Sequence, residues 1–117
     1  MNILVVDNEE AMLETLKRGL TVKGFNVFGA LTGVKALETL ENFEIDMVIT
    51  DYSMPRMTGL ELTKKIKETK DIPIILMTAD GNQNLMEEAK FFNCAGFLYK
   101  PFTLKNLMDE ISPADRV

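Results

Sequence analysis

The 117-residue chain contains no histidine and only one cysteine, Cys94. Without an imidazole, general acid–base catalysis by histidine, His–Cys nucleophile pairs and most transition-metal sites are excluded at once. A single cysteine cannot close an internal disulfide, which fits a reducing, cytoplasmic setting, and Cys94 reads as a small, half-buried apolar residue. No apolar run approaches the roughly 18 residues that a membrane span needs. Met1-Asn2-Ile3 leads straight into a strand with no basic n-region, so neither a signal peptide nor a membrane partner is expected. The formal charge is −5, and the basic residues are scattered. Lys64, Lys65, Lys67 and Lys70 do cluster, but as one solvated helix face among acids. Nothing there would neutralise a run of phosphates, so direct nucleic-acid binding is not expected.

What is present suits one ordinary globular domain, with 46% apolar and 26% charged residues. A chain of this length buries roughly two-thirds of the surface its unfolded form exposes. Residues 2–6 form a short apolar strand. Glu9 and Glu10 favour a helix start through the positive end of the helix dipole. Met12, Leu13, Leu16 and Leu20 follow at helical spacing, and Gly24 closes the helix. Phe25 and Val27 alternate with polar or small residues, as on a half-exposed edge strand. Thr32 is placed to cap a second helix carrying Val34, Leu37 and Leu40. Residues 47–50 form a continuously apolar strand that runs into Asp51 and a loop closed by Pro55 and Gly59. A helix from 59 to about 69 follows, then a strand at 72–77, a helix at 82–92 and a strand at 96–99. The last helix begins near Thr103, carries Leu104, Leu107, Met108 and Ile111, and is expected to stop at Pro113, leaving a short polar tail over 112–117.

Strict alternation of strands and helices predicts an α/β fold, a parallel sheet with helices on both faces and right-handed crossovers. The first, third and fourth strands are the most apolar and belong in the centre. The expectation is a flavodoxin-like (βα)5 three-layer sandwich with strand order 2-1-3-4-5, whose crevice lies beyond the carboxyl ends of the first and third strands. Asp7 and Asp51 fall at those two ends, and Thr78 and Lys100 at the ends of the fourth and fifth. Taken singly, each has a plain explanation as a cap, turn or loop residue; four at equivalent strand ends do not. Two converging carboxylates call for a hard divalent cation such as Mg²⁺, with the Ser53 carbonyl as a neutral oxygen ligand. A carboxylate nucleophile, a metal, a lysine and a hydroxyl together are what a phosphoryl group needs.

The segments Val5-Val6-Asp7, Thr50-Asp51-Tyr52-Ser53-Met54-Pro55 with Gly59, Met77-Thr78-Ala79 and Tyr99-Lys100-Pro101-Phe102 resemble the receiver domain of two-component response regulators. The resemblance covers nearly the whole chain, with each motif in the family's order and spacing. Receiver domains share the 2-1-3-4-5 order with flavodoxin, so the resemblance and the expected strand order are not independent. It implies one receiver domain over residues 1–117. Asp51 would accept a phosphoryl group from a phosphohistidine on a sensor histidine kinase or phosphotransfer protein. Asp7, Asn8, Asp51 and the Ser53 carbonyl would hold Mg²⁺. Thr78 and Lys100 would bind the phosphoryl oxygens, and Phe97 would be the switching aromatic. Ser53 and Asp80 would tune the lifetime of the phosphoryl group. The surface of the fourth helix, fifth strand and fifth helix, including Phe91, Tyr99 and Lys105, would be read by an effector or a fused output domain, or support a phosphorylation-dependent dimer.

Such a protein is a phosphoacceptor, not a turnover enzyme. One departure from the family pattern stands out. Asn8 occupies the position where a second acid commonly ligates the metal, so weaker Mg²⁺ binding is expected. Asn8 is also the one feature favouring a receiver-like module that no longer uses phosphate. A Mg²⁺-dependent phosphohydrolase with an aspartyl nucleophile is disfavoured, because Tyr52-Ser53 offers no acid after Asp51.

Overall fold

Ile3 to Val6 are apolar on both sides of an extended chain, and a strand of that kind is stable only with both faces covered. The computed structural model describes residues 1–79 and 83–115, with the side chains of all of these except 83–85, 91 and 113–115. In it, β1 (Asn2–Val6) is followed by α1 (Glu10–Val22), β2 (Asn26–Ala30), α2 (Gly33–Asn42), β3 (Met47–Asp51), α3 (Gly59–Lys67), β4 (Ile74–Thr78), α4 (Gln83–Phe91), β5 (Gly96–Tyr99) and α5 (Leu104–Asp115). The strands form one parallel sheet in the order β2-β1-β3-β4-β5. This is the expected architecture, with β2 at an edge.

The period of two along each strand sorts the core into two layers. Ile3, Val5, Met47, Ile49, Ile75 and Met77 meet Leu13, Leu16 and Leu20 of α1 and Leu107 and Ile111 of α5. On the other face Leu4, Val6, Val48 and Ile74 meet Ala36 and Leu40 of α2 and Leu62 and Ile66 of α3. Leu76, Leu60 and Ala89 of α4 extend that second layer. Fully burying one such side chain contributes about 1.5–3 kcal/mol, so the sheet's position between the helices is fixed many times over.

Local signals act where expected. The Thr32 hydroxyl accepts the Lys35 N–H at 3.1 Å and caps α2. Gly24 has φ +98°, and the paired bonds Gly24 N–H to Thr21 carbonyl and Phe25 N–H to Leu20 carbonyl close α1. That left-handed position is one only glycine adopts without a Cβ penalty.

Three sequence expectations are corrected. Val34 is 63% exposed, because α2 begins at Gly33 against Met57, and the buried face falls on Gly33, Ala36 and Leu40. β4 starts at Ile74 rather than Ile72; Pro73 precedes it and contributes only its carbonyl, which accepts the Val48 N–H at 3.0 Å. α5 runs on through Pro113 to Asp115 instead of stopping. A proline there removes one N–H from the final turn, while the buried Leu107 and Ile111 hold the helix upstream.

Candidate functional site

The register of the sheet makes the carboxyl ends of four strands coincide: Val6 pairs with Thr50, Asp51 with Met77, and Thr78 with Tyr99. Asp7, Asp51, Thr78 and Lys100 therefore share one rim, as the sequence predicts. Asp7 and Asp51 are both buried. Lys100 reaches them from the other side of β4, its Nζ lying 3.4 Å from Asp7 Oδ2 and 3.4 Å from Asp51 Oδ1. The Lys100 backbone is tied down as well, its N–H donating to the Thr78 carbonyl at 2.8 Å, across a cis Lys100–Pro101 peptide on its far side.

Asp7 is fixed by a turn. The Glu9 N–H donates to its Oδ1 at 2.9 Å, leaving Oδ2 to face Lys100. Asp51 is set by the chain that follows it. The Tyr52 N–H donates to the Met77 carbonyl, and the Gly59 N–H returns to the Tyr52 carbonyl, both at 2.8 Å. Between them the loop reverses at Arg56 (φ 71°), where the Met57 N–H meets the Pro55 carbonyl at 2.8 Å. A reciprocal capping box between Thr58 and Glu61 then starts α3.

Two buried anions share one cation. Burial pushes the Asp51 carboxyl above its ordinary value; Lys100 opposes the rise, Asp7 adds to it, and the Ser53 N–H bonded to the carboxylate lowers it. A hard cation at this rim would relieve the surplus negative charge. Among the described residues no group of three or more His, Cys, Asp or Glu side chains is gathered to hold a metal. The protein groups that this rim would offer a cation are the two carboxylates of Asp7 and Asp51. That is the set a small octahedral dication accepts, whereas structural zinc needs four protein ligands.

The remaining expected residues are placed as follows. Asn8 and Ser53 are exposed at the mouth of the site. Thr78 is buried at the end of β4. Phe97 is half-buried against Leu60, Leu76 and Ala89, beside Tyr52 and Phe92. Asp80 lies outside the described residues, as does the side chain of Phe91. Cys94 is a bystander: burial raises its thiol pKa to about 11, against smaller lowering by Thr63 and Lys67.

Sequence reasoning missed two contributors. Gly59 reads in the sequence as closing a loop, but a Cβ there would run into the carbonyl oxygen of Asp51 itself. Thr50 reads as one more strand residue, yet its fully buried hydroxyl donates to that same carbonyl at 3.0 Å. The only signal for it was a hydroxyl in an otherwise apolar run.

Comparison with known proteins agrees with the geometry. A family model described as the response regulator receiver domain matches residues 3–112. The chain is 34% identical over 111 residues to response regulator RR06 of Streptococcus pneumoniae, covering 95% of this chain and 51% of that protein. It is 35% identical over 115 residues to chemotaxis protein CheY-3 of Vibrio cholerae, covering 95% of this chain and 88% of that one. The solved structure of Vibrio cholerae CheY4 superposes with a TM-score of 0.92 at 28% identity, covering 97% of each chain. The chain spans about half the length of several curated relatives, such as RR06.

Proposed function

This chain belongs to the family of response regulator receiver domains of two-component signalling, and on that premise we propose that it is a switch driven by phosphorylation of Asp51. The observation that supports this most directly is the pair of buried carboxylates, Asp7 and Asp51, sharing the Lys100 ammonium at 3.4 Å from each. A carboxylate lifted in pKa by burial and held at the mouth of the sheet is a competent oxygen nucleophile once a metal and a lysine neutralise the incoming phosphoryl charge.

In the proposed step an Asp51 carboxylate oxygen attacks the phosphorus of a phosphohistidine on a sensor kinase or phosphotransfer protein. The O–P bond forms as the P–N bond breaks. The bond's electron pair passes to the ring nitrogen of an imidazole protonated on its other nitrogen, which leaves neutral. Lys100 follows the charge from the carboxylate to a phosphoryl oxygen, and the Thr78 hydroxyl donates to another. Asp7, with Asp51 and the Ser53 carbonyl, would hold Mg²⁺, which supplies Lewis-acid neutralisation of the phosphoryl oxygens when bound. Asn8 adds no charge to that set. The absence of histidine from the chain is consistent with a donor imidazole that belongs to a partner.

A receiver domain is a signalling phosphoacceptor rather than a turnover enzyme. Its output here would be a shift of a pre-existing equilibrium in α4, β5 and α5, biased through Thr78 and Phe97. Tyr99 of that surface is 44% exposed, with its hydroxyl on Met86 Sδ at 2.8 Å, and Lys105 pairs with Asp109 at 3.1 Å. A downstream effector, a fused output domain or a second copy would read it, and Ser53 and Asp80 would set how long the phosphoryl group lasts. No helix among the described residues is long and apolar enough to cross a membrane. Intact-mass analysis after exposure to acetyl phosphate tests the reading: a Mg²⁺-dependent phosphoryl adduct is expected on the wild type and not on Asp51→Asn. An adduct of equal yield on both would remove Asp51 as the acceptor.

A further inference from the structure

Beyond the residues already assigned to the phosphoryl site, we infer that Thr50 is a positioning residue for the acceptor, holding the Asp51–Tyr52 peptide plane and through it the aim of the Asp51 carboxylate. The inference rests on the proposed phosphoacceptor role of Asp51.

The N–H and C=O of one trans peptide point in opposite directions. The Tyr52 N–H points into the sheet at β4, donating to the Met77 carbonyl at 2.8 Å. The Asp51 carbonyl must then face the β1 side. There the ladder has run out: the β1–β3 pairing ends at Val6 with Thr50, and the next N–H, that of Asp7, is taken by the Ala30 carbonyl of β2 at 3.1 Å. A buried carbonyl with no donor costs stability comparable to a lost hydrogen bond and is free to swing. Thr50 supplies the missing donor, its fully buried hydroxyl lying 3.0 Å from the Asp51 oxygen. Gly59 closes the third side, so near that a Cβ would collide with the same oxygen.

The peptide immediately following the Asp51 Cα is therefore held at its N–H, at its C=O and by contact. That plane sets the direction of the Cα–Cβ bond, and with it the two carboxylate oxygens that must meet both Lys100 and an incoming phosphorus. A misplacement of about 1 Å in a reacting group can cost about a hundredfold in rate. A Thr50 that merely satisfied a buried carbonyl would affect stability and leave the chemistry of folded protein unchanged.

The test compares wild type, Thr50→Ser, Thr50→Val and Thr50→Ala. Initial rates of Mg²⁺-dependent phosphorylation by acetyl phosphate are read by intact mass at saturating Mg²⁺. They are taken well below each variant's thermal transition, with near-ultraviolet circular dichroism confirming the folded state. Thr50→Ser keeps the donor, and its rate is expected within about twofold of wild type. Thr50→Val and Thr50→Ala lose the donor and are expected to fall about tenfold, a moderate share of the loss a misaimed group can produce. Thr50→Ala keeps the test open if valine is not accommodated. Folded donor-less variants at the wild-type rate, or a serine variant as slow as alanine, would overturn the role. A wild type that takes no phosphoryl group at Asp51 would overturn the parent reading, and this inference with it, and is told apart by the wild-type arm alone.

Discussion

Burial lifts the Asp51 carboxyl above the ordinary aspartate value of 3.8; Lys100 pulls it down and Asp7 pushes it up, but burial prevails. Between 3.8 and the raised value the folded chain therefore holds a proton that the unfolded chain has released, and stability falls as pH rises through that window. Ionised Asp51 is thus a cost at neutral pH. Replacing it with asparagine removes that cost while Lys100 keeps Asp7 at 3.4 Å. Asp51→Asn is accordingly expected to be more stable than wild type at pH 7, with a higher Tm. The difference should shrink toward pH 4, as thermal melts across that range would reveal. A variant less stable than wild type at pH 7 would mean that the Lys100–Asp51 attraction outweighs desolvation. Asn8 lies at the same rim and brings no charge. Because affinity for a hard dication follows the charge count of its ligands, Asn8→Asp is expected to tighten Mg²⁺ binding roughly tenfold. Calorimetric titration checks this, and an unchanged affinity would remove residue 8 from the metal's surroundings.

The link from β3 to α3 shows how elements, rather than single residues, place Asp51, the proposed acceptor. α3 starts with a capping box at Thr58 and Glu61, and its first residue, Gly59, lies directly against the Asp51 carbonyl. The obstacle to a side chain there is backbone, which cannot rotate away. Gly59→Ala is therefore expected to cost about 2 kcal/mol in urea unfolding, and to slow phosphorylation of the folded fraction as well. Full stability with alanine at 59 would show that α3 can slide away from the acceptor. This is also where the sequence was informative in one way and silent in another. The turn signals Pro55 and Gly59 fixed where the loop ends, since they act locally. They could not reveal which backbone atom Gly59 approaches, a fact that depends on how α3 docks. Val34 failed for a similar reason: helical spacing identifies a stripe, but the contact of Gly33 with Met57 rotates α2 and selects a neighbouring one. Pro113 illustrates the opposite error, a local breaker overridden because the helix it interrupts is anchored upstream by Leu107 and Ile111.

At the scale of the molecule, the strand order and the shared rim were legible because period-two burial and strict βα alternation allow few arrangements. Asp7, Asp51, Thr78 and Lys100 could be placed together from the ends of four apolar runs. The reach of Lys100 toward Asp51 follows from the same strand ends, but its simultaneous contact with Asp7 does not, since that requires the relative depth of three strand ends. The sheet supplies a fixed floor, two helical layers hold it, and the charged groups collect at the one edge where the strands stop. In the proposed reaction this edge delivers a phosphoryl group to Asp51 and to no other residue. Borohydride reduction of the phosphorylated protein, followed by peptide mass mapping, tests it most directly, because an aspartyl phosphate is reduced to homoserine while an unmodified carboxylate is untouched. Homoserine is expected at position 51 alone, and only when Mg²⁺ accompanied the phosphodonor. Homoserine at position 7 or elsewhere, or an adduct that resists reduction, would contradict it.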